Sequence, residues 1–389
     1  MDSAVETQSE PSGIADETMV LTARRKFMKS TARCLAIVST LSVQACGGGG
    51  GGGNTPAIPP TISGFSPSAE AVGNIVTVVG SGLSGASTVT VGGVLCTAVT
   101  VASSTTLSFT LPANAVTGPI VVTTGSGSAT SSSALAIISK PVGLVSGDYQ
   151  LRWHDEFDGS TFDTTKWVPL LGNRHNATNS TSAISVENSI LTIRTYTDPA
   201  SGVNFTGFLQ TNRKYQFTFG LLEARVRFVS SPGQWSAFWL NSNGNIPRIP
   251  VDPSLGAEID IIEHRNSSNG NRTNISNQYV GNVHWNGYAS DVQSASSGLI
   301  GLPAGEAFSD WHVVSLLWTP QGYQMLVDGR VMWNTNQGVS LSPEYIILSS
   351  EVRDQGWAGN IPVGGYGPNG SSANPVMQVD WVRVWQKPI

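Results

Sequence analysis

The chain has 389 residues, enough for two or three domains. Only 12% of residues are charged, the net charge is -5 and 43 residues are glycine. That balance gives no electrostatic basis for binding nucleic acid. Few charges and few long helical patterns point to an all-β protein. The three cysteines, Cys34, Cys46 and Cys96, all precede the aromatic-rich part of the chain. That part is therefore expected to fold without disulfides or thiolate metal sites.

Residues 1–46 read as an export signal. Thr22-Ala23-Arg24-Arg25-Lys26-Phe27-Met28-Lys29 resembles a twin-arginine signal, and the apolar run from Cys34 to Val43 is too short to remain as a membrane span. Val43-Gln44-Ala45-Cys46 resembles a bacterial lipobox. A lipid anchor at Cys46 is expected, and with it an exported bacterial lipoprotein or an extracellular or periplasmic protein. Residues 47–56 form a Gly-rich linker that would hold the folded body off a membrane surface.

Residues 57–140 read as a small β-sandwich. β-Branched runs at Ile75–Val79, Thr88–Val91 and Pro119–Thr123 are punctuated by Gly80-Ser81-Gly82 and Gly92-Gly93. Glu70 is almost the only charge in the segment. Pro60-Thr61-Ile62-Ser63-Gly64-Phe65-Ser66-Pro67, followed by Gly73 and Val78-Val79-Gly80-Ser81-Gly82-Leu83, resembles an immunoglobulin-like IPT/TIG domain. With no Trp or Tyr to stack on sugar rings, the segment is expected to act as a spacer.

Every Trp, Tyr and His lies beyond residue 145, so residues 145–389 are a different kind of domain. Alternating segments recur: Ser189–Arg194, Phe219–Phe228, Gly233–Leu240, Trp311–Trp318, Tyr323–Gly329 and Val379–Trp385. Many strands separated by turn signals fit two stacked antiparallel sheets. Within them stands Gly256-Ala257-Glu258-Ile259-Asp260-Ile261-Ile262-Glu263-His264. Successive strand side chains point to opposite faces, so Glu258 and Asp260 share one face and Ala257, Ile259 and Ile261 the other. A β-bulge at Ile261-Ile262 would return Glu263 to the face of the first two acids. Adjacent like charges repel, so one carboxyl keeps its proton. An ionised carboxylate beside a protonated one is what glycosidic bond cleavage requires. A flat strand would hold Glu258 and Glu263 roughly 13 Å apart, so the strand must bend to bring them together.

This stretch resembles the catalytic signature of glycoside hydrolase family 16, in the bulged form of its laminarinases and agarases. Arg152-Trp153-His154-Asp155-Glu156-Phe157-Asp158-Gly159 and Thr164-Thr165-Lys166-Trp167 resemble the opening segment of that domain. The resemblance implies a concanavalin A-like jelly-roll β-sandwich catalytic domain behind a small immunoglobulin-like β-sandwich. It implies that Glu258 is the nucleophile, Glu263 the acid/base and Asp260 the support of the nucleophile. It implies that Trp235 and Trp239 line the sugar-binding side, with His284 and Trp285 close to Glu263 on the aglycone side. Trp311, Trp318, Trp381 and Trp385 are expected in the core. No cofactor is needed for the chemistry, but the resemblance implies a structural calcium held by Glu156 and Asp380.

The expected activity is a retaining endo-glycoside hydrolase on a polysaccharide, first a β-1,3- or mixed-linked β-glucan. A galactanase of agarase or carrageenase type, a transglycosylase and a non-catalytic carbohydrate-binding protein are the alternatives, and a monomer is expected. One departure bears on the sugar. Many laminarinases carry an Arg near a strand Thr where this chain reads Thr206-Gly207-Phe208, and Phe208 cannot donate the hydrogen bonds of an Arg. Arg265, just past Glu263, either faces an anionic sugar or is a surface residue.

Overall fold

The structure is a computed structural model that describes residues 59–138, 141, 149–242, 251–268, 273–288 and 290–388. The expected export signal, Cys46 and the whole linker 47–56 lie outside the described residues.

The first domain pairs a four-stranded sheet (Thr61–Ser66, Ile75–Ser81, Thr106–Thr110, Thr97–Val101) with a five-stranded one (Ala69–Ala71, Gly127–Ile138, Gly118–Thr124, Ala86–Val91, Val94–Leu95). Inward residues of both, among them Val76, Val78, Val89, Leu107, Phe109, Ile120 and Val122, form its core. Period-2 burial along Ile75–Ser81 and Gly118–Thr124 is what a sheet wet on one side requires.

The second domain stacks two larger antiparallel sheets. One runs Ile184–Glu187, Ile190–Arg194, Val376–Gln386, Gly220–Val229, His312–Thr319, Gly322–Val327 and Arg330–Thr335, with Gln150–Asp155 also on Val376–Gln386. The other runs Val168–Pro169, Phe208–Gln210, Glu344–Val352, Gln234–Ser242, Glu258–Arg265, Gln278–Trp285 and Gln293–Ser296. The core lies between them: Leu222, Ala224, Val226, Val314, Leu316, Val382 and Val384 face Phe238, Leu240, Ile259, Ile261, Val283, Ile346 and Leu348.

The first domain docks directly on the second. Ala69, Ala71 and Ile138 pack with Leu151, Leu221 and Trp385. The Ser68 N–H and hydroxyl donate to the two carboxylate oxygens of Asp158, at 2.8 and 2.6 Å. Glu70, the solitary acid of its domain, meets His154 Nε2 at 3.2 Å. His154 Nδ1 lies 3.1 Å from Glu156, which also takes two hydrogen bonds from Arg383. The Trp residues expected in the core divide. Trp318 and Trp385 are 1% exposed, whereas Trp311 stands on the outer face between the guanidinium groups of Arg225 and Arg227.

Candidate active site

Strand Glu258–Arg265 is central in its sheet, between Gln234–Ser242 and Gln278–Trp285. Both ladders slip at the same place. Trp239 pairs with Asp260 but Phe238 pairs with Ile262, and Asn282 pairs with Asp260 but Val280 with Glu263. One extra residue sits at Ile261-Ile262, and both isoleucines are fully buried in the core. Burying two consecutive isoleucines is what the bulge accomplishes, and it returns Glu263 to the outer face.

The partners of the acids differ. Glu258 Oε2 accepts from Asn241 Nδ2 at 3.0 Å and from the Tyr288 hydroxyl, which Asn241 also contacts. Glu263 Oε2 accepts from Asn282 Nδ2 at 2.6 Å. Asp260 has His284 Nε2 at 3.5 Å. Burial is the main force on all three and pushes Glu258 and Glu263 up to about 7. Burial, then the charges of Glu258 and Glu263, raises Asp260 well above an ordinary aspartate. Two side-chain donors and the nearby Arg174 favour an ionised Glu258, whereas Glu263 has one donor and the nearby Arg265. The charge therefore settles on Glu258 and the proton at the Asp260–Glu263 end.

Trp235 and Trp239 stand on the same outer face, opposite Arg265 and Asp260. The Trp239 indole N–H donates to Ser349 at 3.0 Å, and its ring meets Phe208 edge-on. His284 departs from expectation: it pairs with Glu258 and approaches Asp260, so it lies beside the nucleophile end rather than at Glu263. Trp285 is corrected outright. It alternates with His284, and its ring packs on the core side against Gly338, where an added Cβ would lie 2.4 Å from it.

The calcium ligands are also corrected. Glu156 is occupied by Arg383 and His154, and Asp380 is paired with Arg225. A hard cation needs free carboxylate oxygens converging on one point, and these two carboxylates are already spent on separate cations. Glu156 and Asp380 therefore do not fit a calcium ion, and they belong to no ligand-spaced group among the described residues. Two such groups do occur. One is Glu258, Asp260 and His284 themselves; in the other, Glu306, His312 and Asp328, Arg330 and the His312 imidazole hold the carboxylates.

Several residues escaped the sequence reading. Tyr288 and Asn282 hold the acids, and Asn241 follows Trp239 by two residues, an alternation that would have placed it. Arg174 lies with its guanidinium 5.9 Å from the Phe208 ring and donates to Glu351 through Nε at 2.6 Å. The guanidinium expected in the sequence near Phe208 thus arrives from a distant strand. Trp357 meets Trp235 edge-on at 5.7 Å and carries Arg265 on its face.

A jelly-roll sandwich bearing three carboxylates along one strand's outer face, each with its own polar support, defines the class of sandwich-fold glycosidases. The chain belongs to glycoside hydrolase family 16: the family model described as beta-porphyranase A-D, GH16 domain, matches residues 151–387. An IPT/TIG domain model matches residues 60–137. Among similar proteins, glucan endo-1,3-beta-glucosidase A1 of Niallia circulans is 28% identical, over 64% of this chain and 40% of that protein. Keratan-sulfate endo-1,4-beta-galactosidase of Sphingobacterium multivorum is 27% identical, over 62% of this chain and 56% of that protein. The chain thus spans about half the length of these two relatives. A family 16 endo-glucanase from Bacteroides ovatus superposes with a TM-score of 0.50 at 18% identity, covering 60% of this chain and 99% of that one, which shows the shared fold.

Proposed function

We propose that the chain is a retaining endo-glycoside hydrolase working by double displacement. Glu258 attacks the anomeric carbon while Glu263 gives its proton to the departing oxygen. Glu263 then takes a proton from water, which releases the glycosyl group from Glu258. Asp260 lies between them and, with His284, holds the proton distribution that keeps Glu258 charged. The observation that carries this reading is the bulge, which sets three carboxylates on one face, with two side-chain donors on Glu258 and one on Glu263.

The bond is a β-glycosidic bond inside a polysaccharide, first a β-1,3- or mixed-linked glucan, in keeping with the name of the Niallia relative. A β-galactan is the second reading. The porphyranase family model and the galactosidase relative favour it. Reducing-sugar release on laminarin, lichenan, agarose, carrageenan and xyloglucan tests it. Release from one polymer, abolished in Glu258→Gln, is expected; full activity in Glu258→Gln ends the assignment. The lipid anchor at Cys46 rests on the sequence, and palmitate labelling that persists in Cys46→Ser would refute it.

A further inference from the structure

We propose that Glu258, Asp260 and His284 form a binding site for a zinc-class divalent cation, and that the bound ion holds the enzyme inactive by occupying its nucleophile. The cation site stands on the geometry of the three side chains. Only the inactive state rests on Glu258 being the nucleophile.

Each of the three offers one ligand atom, and these atoms lie within 4.8 Å of one another. The register explains why. Glu258 pairs with His284 across the strands, and Asp260 follows Glu258 by two residues on the same outer face. A tetrahedral zinc ion with bonds of about 2.1 Å needs its ligand atoms about 3.4 Å apart, so side-chain shifts on the order of 1 Å close the site. The second observation is Asp260 itself. It is 5% exposed, yet among the described residues neither of its oxygens accepts a hydrogen bond. The approach of His284 Nε2, at 3.5 Å, is too long for a good one. The other buried acids of this domain are provided for: Asp155 by Trp167, Glu156 by Arg383, Glu223 by Trp385 and Glu351 by Arg174. A buried carboxylate with no donor, standing between two more carboxylates of its own strand, is costly. A cation is what it lacks.

The other two ligands also have coordination to spare. Among the described residues the His284 imidazole makes no hydrogen bond, which leaves a ring-nitrogen lone pair for a metal. Both hydrogen bonds on Glu258 go to Oε2, so Oε1 is left over. Asn241 and Tyr288 steady that carboxylate, the kind of outer support that metal-binding carboxylates receive. The donor set selects the ion. Calcium and magnesium take six or more oxygens, whereas one imidazole with two carboxylates suits zinc, copper or nickel. A dication also offsets the mutual repulsion of Glu258 and Asp260. With the ion in place, the nucleophile is no longer free to reach an anomeric carbon.

Calorimetric titration of the full chain with zinc chloride tests the site, with calcium and magnesium chloride for comparison. Zinc should bind and the other two should not. Cobalt in place of zinc should give the visible absorption of a four-coordinate ion, a readout that depends on no variant folding. His284→Gln and Asp260→Asn should each weaken zinc binding by at least about 10-fold. Asp328→Asn, in the surface group with Glu306 and His312, should leave it as it is. Absence of zinc binding, or equal binding in wild type, His284→Gln and Asp260→Asn, would overturn the site. Reducing-sugar release should fall as zinc fills the site and return with chelator. Zinc bound there with release undiminished would count against Glu258 as nucleophile and not against the cation site, so the two failures are told apart.

Discussion

Tyr288→Phe removes a hydroxyl that donates to Glu258 Oε2 and leaves Asn241 Nδ2 in place at 3.0 Å. A hydrogen bond to a charged group is worth about 1.5–3 kcal/mol, and one pKa unit is about 1.4 kcal/mol. The full loss would therefore raise the affinity of Glu258 for its proton by about one to two units. Tyr288 is 39% exposed, so solvent takes up part of that, and about one unit is expected. The sign follows from which form the phenol favours. It stabilises the ionised carboxylate, so its loss makes Glu258 harder to ionise. The acidic limb of kcat/KM against pH, which reports the ionisation of the nucleophile, should move up by about one unit. The alkaline limb, governed by Glu263, should stay. The assay is the pH profile of reducing-sugar release for both proteins. A uniform loss of kcat/KM with both limbs unmoved would refute the reasoning and make Tyr288 a substrate contact instead.

Other outcomes follow from groups outside the three acids. Glu344, fully buried, holds the Ala257 N–H just ahead of Glu258, and burial pushes it up to about 8 from 4.5. The folded state therefore binds the extra proton between those values, so stability falls as pH rises from about 4.5 through about 8 and levels off above. Glu344→Gln should flatten that slope in denaturant unfolding and gain on the order of 5 kcal/mol over wild type at alkaline pH; an unchanged slope would mean that Glu344 does not carry the proton. Glu70→Gln should lower stability by about 2 kcal/mol by leaving His154 short of a buried partner, and an unaltered melting temperature would mean that the contact between the domains adds nothing. Chelator and added calcium should both leave the melting temperature where it is, because Glu156 and Asp380 are held by Arg383 and Arg225; a drop with chelator would show an ion at other ligands.

Much of the site was legible because its order is local. Glu258-Ile259-Asp260 alternates, and the doublet Ile261-Ile262 breaks the alternation, so burying both isoleucines fixes where the bulge falls and where Glu263 points. The choice between His284 and Trp285 was not local. Period 2 puts one outward and one inward, but which one depends on register with the neighbouring strand. There Val283 pairs with Ile259, a core residue, and that pairing turns His284 out and Trp285 in. Arg174 and Glu351 are 177 residues apart, and no pattern along the chain joins them. The partners of the two expected metal ligands were missed for a related reason. The carboxylates were correctly seen, but the arginines that neutralise them stand on strands whose pairing the sequence does not print.

The placement of cations also explains why charge is left over at one end of the site and not the other. Glu351 lies on the strand next to Trp235 and is buried, so a fourth acid adds its charge to Glu258, Asp260 and Glu263. Arg174 and His175 meet Glu351, at 2.6 and 3.3 Å, and largely cancel it. What remains of Arg174 is felt by Glu258 and helps keep it ionised. At the other end Arg265 is near Glu263 but bonds no acid, since a carboxylate held firmly by a guanidinium could not keep a proton to give away. An acid/base residue thus needs its neighbouring cation held off by something else. Here Trp357 holds the guanidinium through its ring face rather than through charge, which leaves the proton on Glu263.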